Sequence, residues 1–147
     1  MKALLQRVSS AKVEVDGQIV GKIGKGLLVF LCAVKGDTEK DFDYLVKKVS
    51  QLRIFEDDQG KMNLSVADVK GSLLVVSQFT LAASTRKGNR PSFDNAESPE
   101  RAKAMYDNFV QRMRDTGLPV ETGMFLAMMD VTLVNDGPMT IWLDSRE

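Results

Sequence analysis

The chain of 147 residues contains no histidine and only one cysteine. Without histidine, neither a Ser-His-Asp nor a Cys-His catalytic arrangement can form. The commonest metal ligand is therefore missing, and a single cysteine is too few for a thiolate zinc site. The sequence also lacks a Gly-x-Ser-x-Gly elbow, a phosphate-binding loop and a dinucleotide fingerprint. Any catalysis must rest on backbone groups, hydroxyls, carboxylates or the substrate itself.

Neither sign of charge is in excess, because 20 Lys and Arg residues balance 20 Asp and Glu residues. A general nucleic-acid binder is usually basic, so any contact with RNA must be local. No apolar run is long enough to cross a bilayer, and the first residues lack the apolar core of a signal peptide. Cys32 has no partner for a disulfide within the chain. These features favour a cytoplasmic protein that does not enter membranes.

Length and composition are typical of one globular domain, here residues 1–147. Apolar patterning predicts strands at residues 2–8, 19–23, 27–34, 73–81, 120–122, 128–135 and 140–143. Two amphipathic helices are also predicted. The first follows Thr38 and buries Phe42, Leu45, Val46, Val49 and Leu52. Hairpins combined with two helices predict an α/β fold, in which a mostly antiparallel sheet system carries both helices on one side.

The second helix has clear start and stop signals. Ser98 can cap it, Pro99 suits the first helical position, and Gly117 ends it. Its predicted buried stripe consists of Ala102, Met105, Phe109, Val110 and Met113. A polar loop over residues 83–97 precedes this helix.

Two short segments are unusual for ordinary structure. The Gly137-Pro138 step interrupts two adjoining strands, and because proline cannot donate to a ladder it must mark a bulge, an edge or a turn. In the second segment, Ser77, Gln78 and Thr80 lie where an apolar strand ends. Backbone polar groups at such a point are free to face a ligand.

These segments carry a family resemblance. Val76-Ser77-Gln78-Phe79-Thr80-Leu81-Ala82 and Asn135-Asp136-Gly137-Pro138-Met139-Thr140 resemble D-aminoacyl-tRNA deacylases, also called D-tyrosyl-tRNA deacylases. Further similar segments occur, in the family's order, at residues 5–8, 23–29, 53–55, 61–65, 87–93 and 122–125. One departure is Leu126, where the family usually has Gly or Ala.

The resemblance implies a cytoplasmic homodimer with a three-layer ββα arrangement of two sheets and a helical layer. It implies a carboxylic ester hydrolase that releases D-amino acids from the 3′ end of tRNA in translation quality control. Glycine wrongly attached to tRNA is an implied second substrate, whereas L-aminoacyl-tRNA is spared. The resemblance implies no metal and no organic cofactor.

In the family, the 77–80 segment forms the oxyanion site, so Ser77, Gln78, Phe79 and Thr80 are the implied catalytic residues. Ester hydrolysis needs preorganised donors, which consecutive backbone N–H groups can supply. A threonine hydroxyl without a neighbouring base is a weak nucleophile. A water oriented by the 2′-hydroxyl of the terminal adenosine is therefore favoured over Thr80, and the covalent route stays open as the alternative.

By itself, a Gly-Pro step commonly just turns the chain, and few X-Pro bonds are cis. Within the family motif, Gly137-Pro138 is a cis step whose carbonyl oxygens point into the partner subunit's pocket. Those oxygens would accept from the substrate ammonium group and leave no room for an L side chain. This arrangement implies chiral selection by exclusion.

Two further predictions concern the substrate's RNA. Arg86, Lys87 and Arg90 form a local basic loop that is either a solvated surface or a phosphate contact. Phe125 and Met129 either line the adenosine site or belong to the core.

Two other functions stay open at this point: a dimeric small-molecule binding module without catalysis, and a general amino-acid esterase that needs no RNA.

Overall fold

The computed structural model describes residues 1–147, which form eight strands, two α-helices and a short 3-10 turn. The strands are β1 (Lys2–Val15), β2 (Gln18–Ile23), β3 (Gly26–Cys32), β4 (Phe55–Glu56), β5 (Met62–Leu64), β6 (Ser72–Ser77), β7 (Val120–Thr122) and β8 (Asp130–Asp144). The helices are α1 (Glu39–Gln51) and α2 (Pro99–Asp115), and the 3-10 turn spans Phe79–Ala82. Neither helix is long and apolar enough to cross a membrane.

The long strand β1 organises the main sheet. One edge of β1 pairs with β3 and then with β2, and the other edge pairs with β8, all antiparallel. Beyond β3, the strands β6 and β7 continue the sheet in parallel pairing. The predicted mixed α/β fold with two helices and a mostly antiparallel sheet is confirmed.

Strands β3 and β6 are buried because their alternate side chains enter two different cores. Leu27, Val29 and Leu31 pack in the larger core together with the helices. On the other face, Leu28 belongs to a second core that β1 and β2 help to cover. Strand β2 lies very close to β7. A Cβ atom added at Gly21 would lie 2.3 Å from a β7 carbonyl oxygen. The prediction that this apolar run is a strand buried on both faces is confirmed.

Both helices begin where the sequence indicates. Thr38 precedes α1, and the Asp41 carboxylate accepts a hydrogen bond of 2.9 Å from the Thr38 N–H. The predicted buried face of α1 is confirmed, except that Leu52 lies just beyond the helix and is half-buried. In α2 the prediction missed Tyr106, which is buried, while Ala102 and Met105 are only half-buried.

Several predicted strand limits were wrong. The strand predicted at residues 73–81 ends at Ser77, because Gln78 turns the chain into the 3-10 turn. The strand predicted at 27–34 ends at Cys32. The strand predicted at 2–8 continues to Val15, since β8 supports β1 over its whole length.

Residues 130–144 form one strand rather than the two predicted, and Met128 and Met129 precede it. Its ladder with β1 omits residues 136–139, and the register shifts between Gln6 and Val8. The Gly137-Pro138 peptide bond, which is cis, lies in this gap. The gap is the bulge expected where proline cannot donate to a ladder.

Candidate active site

A cavity of about 650 Å³ opens where β6 ends. Ser77, Gln78 and Phe79 lie on its wall, together with residues from β3, α2 and the segment before β8. Most of its lining is apolar, unlike that of the smaller charged cleft of about 440 Å³ between α1 and α2. An apolar cavity with a few convergent polar groups is the usual form of a small-molecule site.

The end of β6 carries backbone N–H groups that the 3-10 turn leaves without an acceptor. The Gln78 N–H still donates to the Leu31 carbonyl at 2.8 Å, which continues the parallel ladder by one residue. Phe79 and Thr80 begin the 3-10 turn, so their N–H groups have no acceptor within that turn. Phe79 lies on the cavity wall, whereas Thr80 follows it in the chain and is not among the lining residues. Two consecutive backbone donors without an acceptor are the kind of group that can stabilise an oxyanion.

The Thr80 hydroxyl is already engaged. Its oxygen accepts a short hydrogen bond from the Gln78 side-chain amide. Because an N–H donor withdraws electron density from an oxygen that accepts from it, the contact does not activate Thr80 as a nucleophile. A base in the position of the Gln78 amide would be needed for that role.

Two hydroxyl or thiol groups near the cavity remain protonated at neutral pH. Burial raises the pKa of Tyr106 to about 12, and the Tyr106 hydroxyl donates to the Val75 carbonyl at 2.7 Å. Burial likewise raises the pKa of Cys32 to about 11. The Cys32 thiol lies 3.6 Å from the Phe79 carbonyl oxygen. Neither group is a base or a thiolate nucleophile at neutral pH.

Glu97 is the one carboxylate on the cavity wall. One of its oxygens accepts from the Ser98 N–H at 2.9 Å, and the other pairs with Arg101 at 3.4 Å. Its side chain is therefore used to fix the start of α2. No group of three or more His, Cys, Asp or Glu side chains lies together in the molecule.

Phe125 and Met129 both line the cavity. The sequence alone left open whether they belong to a ligand site or to the core. Neither belongs to a strand. The Phe125 ring lies 6.1 Å from the Tyr106 ring, and Met129 packs against the second core. Each residue is half-buried, so it supports the fold with one part and faces the cavity with another.

Gly137 and Pro138 do not line the cavity of their own chain. The residue of β8 level with Ser77 is Leu143, through the pairs Ser77–Leu31, Leu31–Ala3 and Ala3–Leu143. The Gly137-Pro138 turn is therefore separated from Ser77 by three strand spacings across the sheet and by about five residues along the strand direction. With strand spacings of about 4.8 Å and rises of about 3.3 Å, the two sites are about 20 Å apart.

Arg7 braces the Gly137-Pro138 turn from behind, and sequence reasoning missed this role. Its buried guanidinium donates to the Ile54 carbonyl at 2.7 Å and to the Asp136 carbonyl at 3.2 Å. It also pairs with the Asp136 carboxylate at 3.1 Å. The sequence does contain a signal for a buried role of this residue, since Arg7 continues the inward-facing alternation of Ala3 and Leu5. A charged residue at a core position indicates a specific partner.

The turn itself is exposed and held on two sides. The Asn135 side-chain amide donates to the carbonyls of Arg7 and Met139, at 2.9 and 3.1 Å. Gly137 and Pro138 are exposed beyond these contacts. The arrangement presents a firmly supported turn to something outside the chain.

The basic loop precedes Phe93, which lines the cavity, but its three cationic residues are not among the lining residues. Arg86, Lys87 and Arg90 are exposed, and none of them forms an ion pair. Farther along the loop, Phe93 packs edge-on against Phe79, with ring centroids 5.3 Å apart. This contact connects the loop to the wall of the cavity and leaves its cations free for a ligand.

Comparison with known proteins gives a consistent result. The model of the family described as D-Tyr-tRNA(Tyr) deacylase matches residues 4–144. A D-aminoacyl-tRNA deacylase from Persephonella marina is 60% identical over 146 residues, which is 99% of each chain. One from Aquifex aeolicus is 58% identical over 147 residues, which is 100% of this chain and 99% of the relative.

Two solved structures extend the likeness. A protein named c-Myc DNA Unwinding Element Binding Protein superimposes with a TM-score of 0.92 at 42% identity, covering 98% of each chain. A probable eukaryotic D-amino acid tRNA deacylase superimposes with a TM-score of 0.80 at 17% identity, covering 97% of each chain. The second likeness concerns the fold alone.

Proposed function

Because the chain belongs to the D-Tyr-tRNA(Tyr) deacylase family, we propose that it hydrolyses the ester that joins a D-amino acid to the 3′ end of tRNA in the cytoplasm. The products are a free D-amino acid and tRNA. One observation carries the proposal. The end of β6 carries backbone N–H donors without an acceptor in the 3-10 turn, next to an apolar cavity that has no free side-chain base.

The reaction passes through a tetrahedral intermediate whose oxygen carries a negative charge. The N–H groups of Phe79 and Thr80 would donate to this oxygen. Donors that are already oriented need no reorganisation during the reaction, and an apolar surrounding strengthens them. Removal of a single donor of this kind costs about 10²–10³ in kcat. Backbone donors alone can therefore supply a large part of the rate enhancement.

The nucleophile in this proposal is a water molecule. The Thr80 oxygen is occupied by the Gln78 amide, and Glu97 is held by Ser98 and Arg101. Tyr106 keeps its proton at neutral pH. In this proposal the 2′-hydroxyl of the substrate's terminal adenosine orients the water, so the substrate assists its own hydrolysis.

This route predicts different results for enzyme and substrate changes. Thr80→Val should keep kcat within about tenfold of wild type, because the Thr80 backbone N–H is retained. D-tyrosyl-tRNA that ends in 2′-deoxyadenosine should react at least about 10²-fold more slowly than the normal substrate, because it lacks the hydroxyl that orients the water. Single-turnover rates for both substrates measure the two effects. An acyl group trapped on the Thr80 hydroxyl would contradict the water route.

Chiral selection in this proposal requires two copies of the chain. The Gly137-Pro138 turn is about 20 Å from the cavity of its own chain, by strand geometry. The turn is exposed and braced by Arg7 and Asn135. In a homodimer it would enter the partner subunit's cavity, where its carbonyls accept from the substrate ammonium group and exclude an L side chain. Glycine has no side chain to exclude, so glycyl-tRNA is a further substrate.

Arg86, Lys87 and Arg90 would contact phosphates near the acceptor end of the tRNA, because they are exposed, form no ion pair and belong to the loop whose Phe93 packs on the cavity wall. Phe125 and Met129 would hold the terminal adenosine by stacking and apolar contact. The protein needs no overall positive charge for this, since the contacts lie at one end of the RNA.

One panel of substrates tests the proposal. Matched D-tyrosyl-, L-tyrosyl- and glycyl-tRNA are compared with the free methyl ester of D-tyrosine. We expect rapid hydrolysis of the D-tyrosyl and glycyl substrates, at least 10²-fold slower hydrolysis of the L substrate, and little turnover of the free ester. Equal turnover of the free ester would indicate a general esterase. Binding without turnover of any ester would indicate a non-catalytic binding module.

A further inference from the structure

Leu126 has a backbone conformation that leucine rarely adopts, with a φ angle of 61°. In this left-handed region the Cβ atom crowds the following carbonyl oxygen, which disfavours every residue except glycine. Only two other non-glycine residues have a positive φ, and both are polar. They are Asp16 and Lys70, which lie in exposed turns.

Packing within the chain does not offset this strain. The Leu126 side chain is 68% exposed, so it buries little apolar surface in the free protein. Glycine at this position would relieve the backbone, and alanine would expose less apolar surface. Strain that the surrounding structure does not explain is found mainly at ligand-binding and active sites.

Leu126 lies at the mouth of the cavity that contains Ser77 and Phe79. Met128, which is 92% exposed, and Phe79, which is 48% exposed, lie on the same cavity wall. Together, Leu126, Met128 and Phe79 form an apolar rim. Large exposed apolar residues gathered at one cavity indicate a surface that a ligand covers.

We propose that Leu126 contacts the terminal nucleoside of aminoacyl-tRNA and is a determinant of substrate affinity. The inference rests on the proposed function, and it adds a residue that departs from the family pattern. An unpaired base is held by apolar contact and stacking on both of its faces. Phe125 is the neighbouring aromatic residue on the cavity wall. The strained backbone of Leu126 holds the side chain over the base, and the contact forms only when substrate is bound.

Three variants distinguish the effect of the Leu126 side-chain contact from the effect of the backbone strain at the same residue. Leu126→Gly removes both the side chain and the strain. Leu126→Ala removes most of the side chain and keeps the strained backbone. Lys70→Gly is the matched control, because Lys70 has a φ angle of 55° and lies at the opposite end of β6 from Ser77.

For D-tyrosyl-tRNA, we expect both Leu126 variants to raise KM about five- to tenfold and to leave kcat within twofold, from the loss of an apolar contact. Lys70→Gly should leave both constants unchanged. The melting temperature should rise by about 2 °C for Leu126→Gly and for Lys70→Gly, because both relieve strain. It should not rise for Leu126→Ala.

An unchanged KM in both Leu126 variants would overturn the proposal. Weaker self-association of Leu126→Ala in sedimentation, without a change in KM, would assign the contact to a second copy of the chain and would also overturn it. A second probe separates this inference from the proposed function. If the wild type fails to hydrolyse D-tyrosyl-tRNA, the proposed function fails. Binding of tRNA that carries D-tyrosine by an amide bond then still tests Leu126, through a five- to tenfold higher Kd in the variants.

Discussion

Replacing Arg7 by methionine is expected to lower kcat/KM for D-tyrosyl-tRNA about 100-fold, because a displacement of about 1 Å near reacting groups costs that much. Arg7 is buried and holds the Asp136 carbonyl and carboxylate directly beside Gly137-Pro138. Methionine keeps much of the apolar stem and lacks the donors, so the turn loses its brace. Single-turnover deacylation of D-tyrosyl-tRNA measures the loss.

Arg112→Met is the matched control. Arg112 is half-exposed and pairs with Asp43 on the surface of the helices. We expect it to keep the wild-type rate and to lose less than about 1 kcal/mol of stability. Arg7→Met should lose about 1–3 kcal/mol, since the buried Ile54 carbonyl is left without its partner. A rate for Arg7→Met within twofold of wild type would show that the brace does not matter for catalysis.

Mixed dimers identify the subunit on which the brace acts. Phe79→Pro removes one backbone donor from the cavity, and proline is tolerated at the first position of a helical turn. A dimer of one Arg7→Met chain and one Phe79→Pro chain has one intact cavity and one intact turn, on different subunits. Activity should return to about half that of the wild type if the turn acts across the interface. It should stay low if the turn serves its own chain.

Replacing Gly26 by alanine is expected to lower the free energy of unfolding by about 3 kcal/mol or more, as severe overpacking does. A Cβ atom at Gly26 would lie 1.8 Å from the Ser72 carbonyl oxygen. The carbonyl belongs to the backbone of the first pair of the β3–β6 ladder, so no flexible side chain can move aside to make room. The strand that carries Ser77 would have to separate from its neighbour. Denaturant unfolding followed by circular dichroism measures the change.

Gly24→Ala provides the control two residues away. A Cβ atom there meets nothing within 4 Å, and its φ is outside the left-handed region. We expect a change within about 0.5 kcal/mol of zero, or a small gain from a less flexible unfolded chain. Equal stability of the two variants would mean that β3 and β6 can part at little cost.

Local pattern was enough for the elements that have one dominant signal. The starts of α1 and α2, the apolar run of β3 and the break at Gly137-Pro138 were all predictable, because each is determined by neighbouring residues, although the Ser98 side chain makes no capping hydrogen bond. The end of β6 was not predictable in this way. Phe79 and Leu81 continue an apolar strand-like pattern, and only the tertiary structure turns them into a 3-10 turn.

Ser77, Gln78 and Phe79 were named from the sequence and line the cavity, whereas the geometry of the candidate site could not be predicted. Sequence spacing cannot indicate that β3 and β6 pair in parallel, which sets the level of Ser77 in the sheet. It therefore could not indicate that Gly137-Pro138 lies far from the cavity of the same chain. Arg7 was overlooked because its partners, Ile54 and Asp136, are distant in sequence.

The pairing of β1 with β8 also affects when the site can form during synthesis. The ladder runs from Lys2 with Asp144 to Glu14 with Asp130, so this edge of the first strand stays unpaired until the last strand has been made. Closing so long a loop costs entropy before any contact stabilises it. The cavity itself draws on residues from Met1 to Met129. The residues that line the cavity are therefore made before β8, whereas the Gly137-Pro138 turn is held in place only after the last strand has paired with the first.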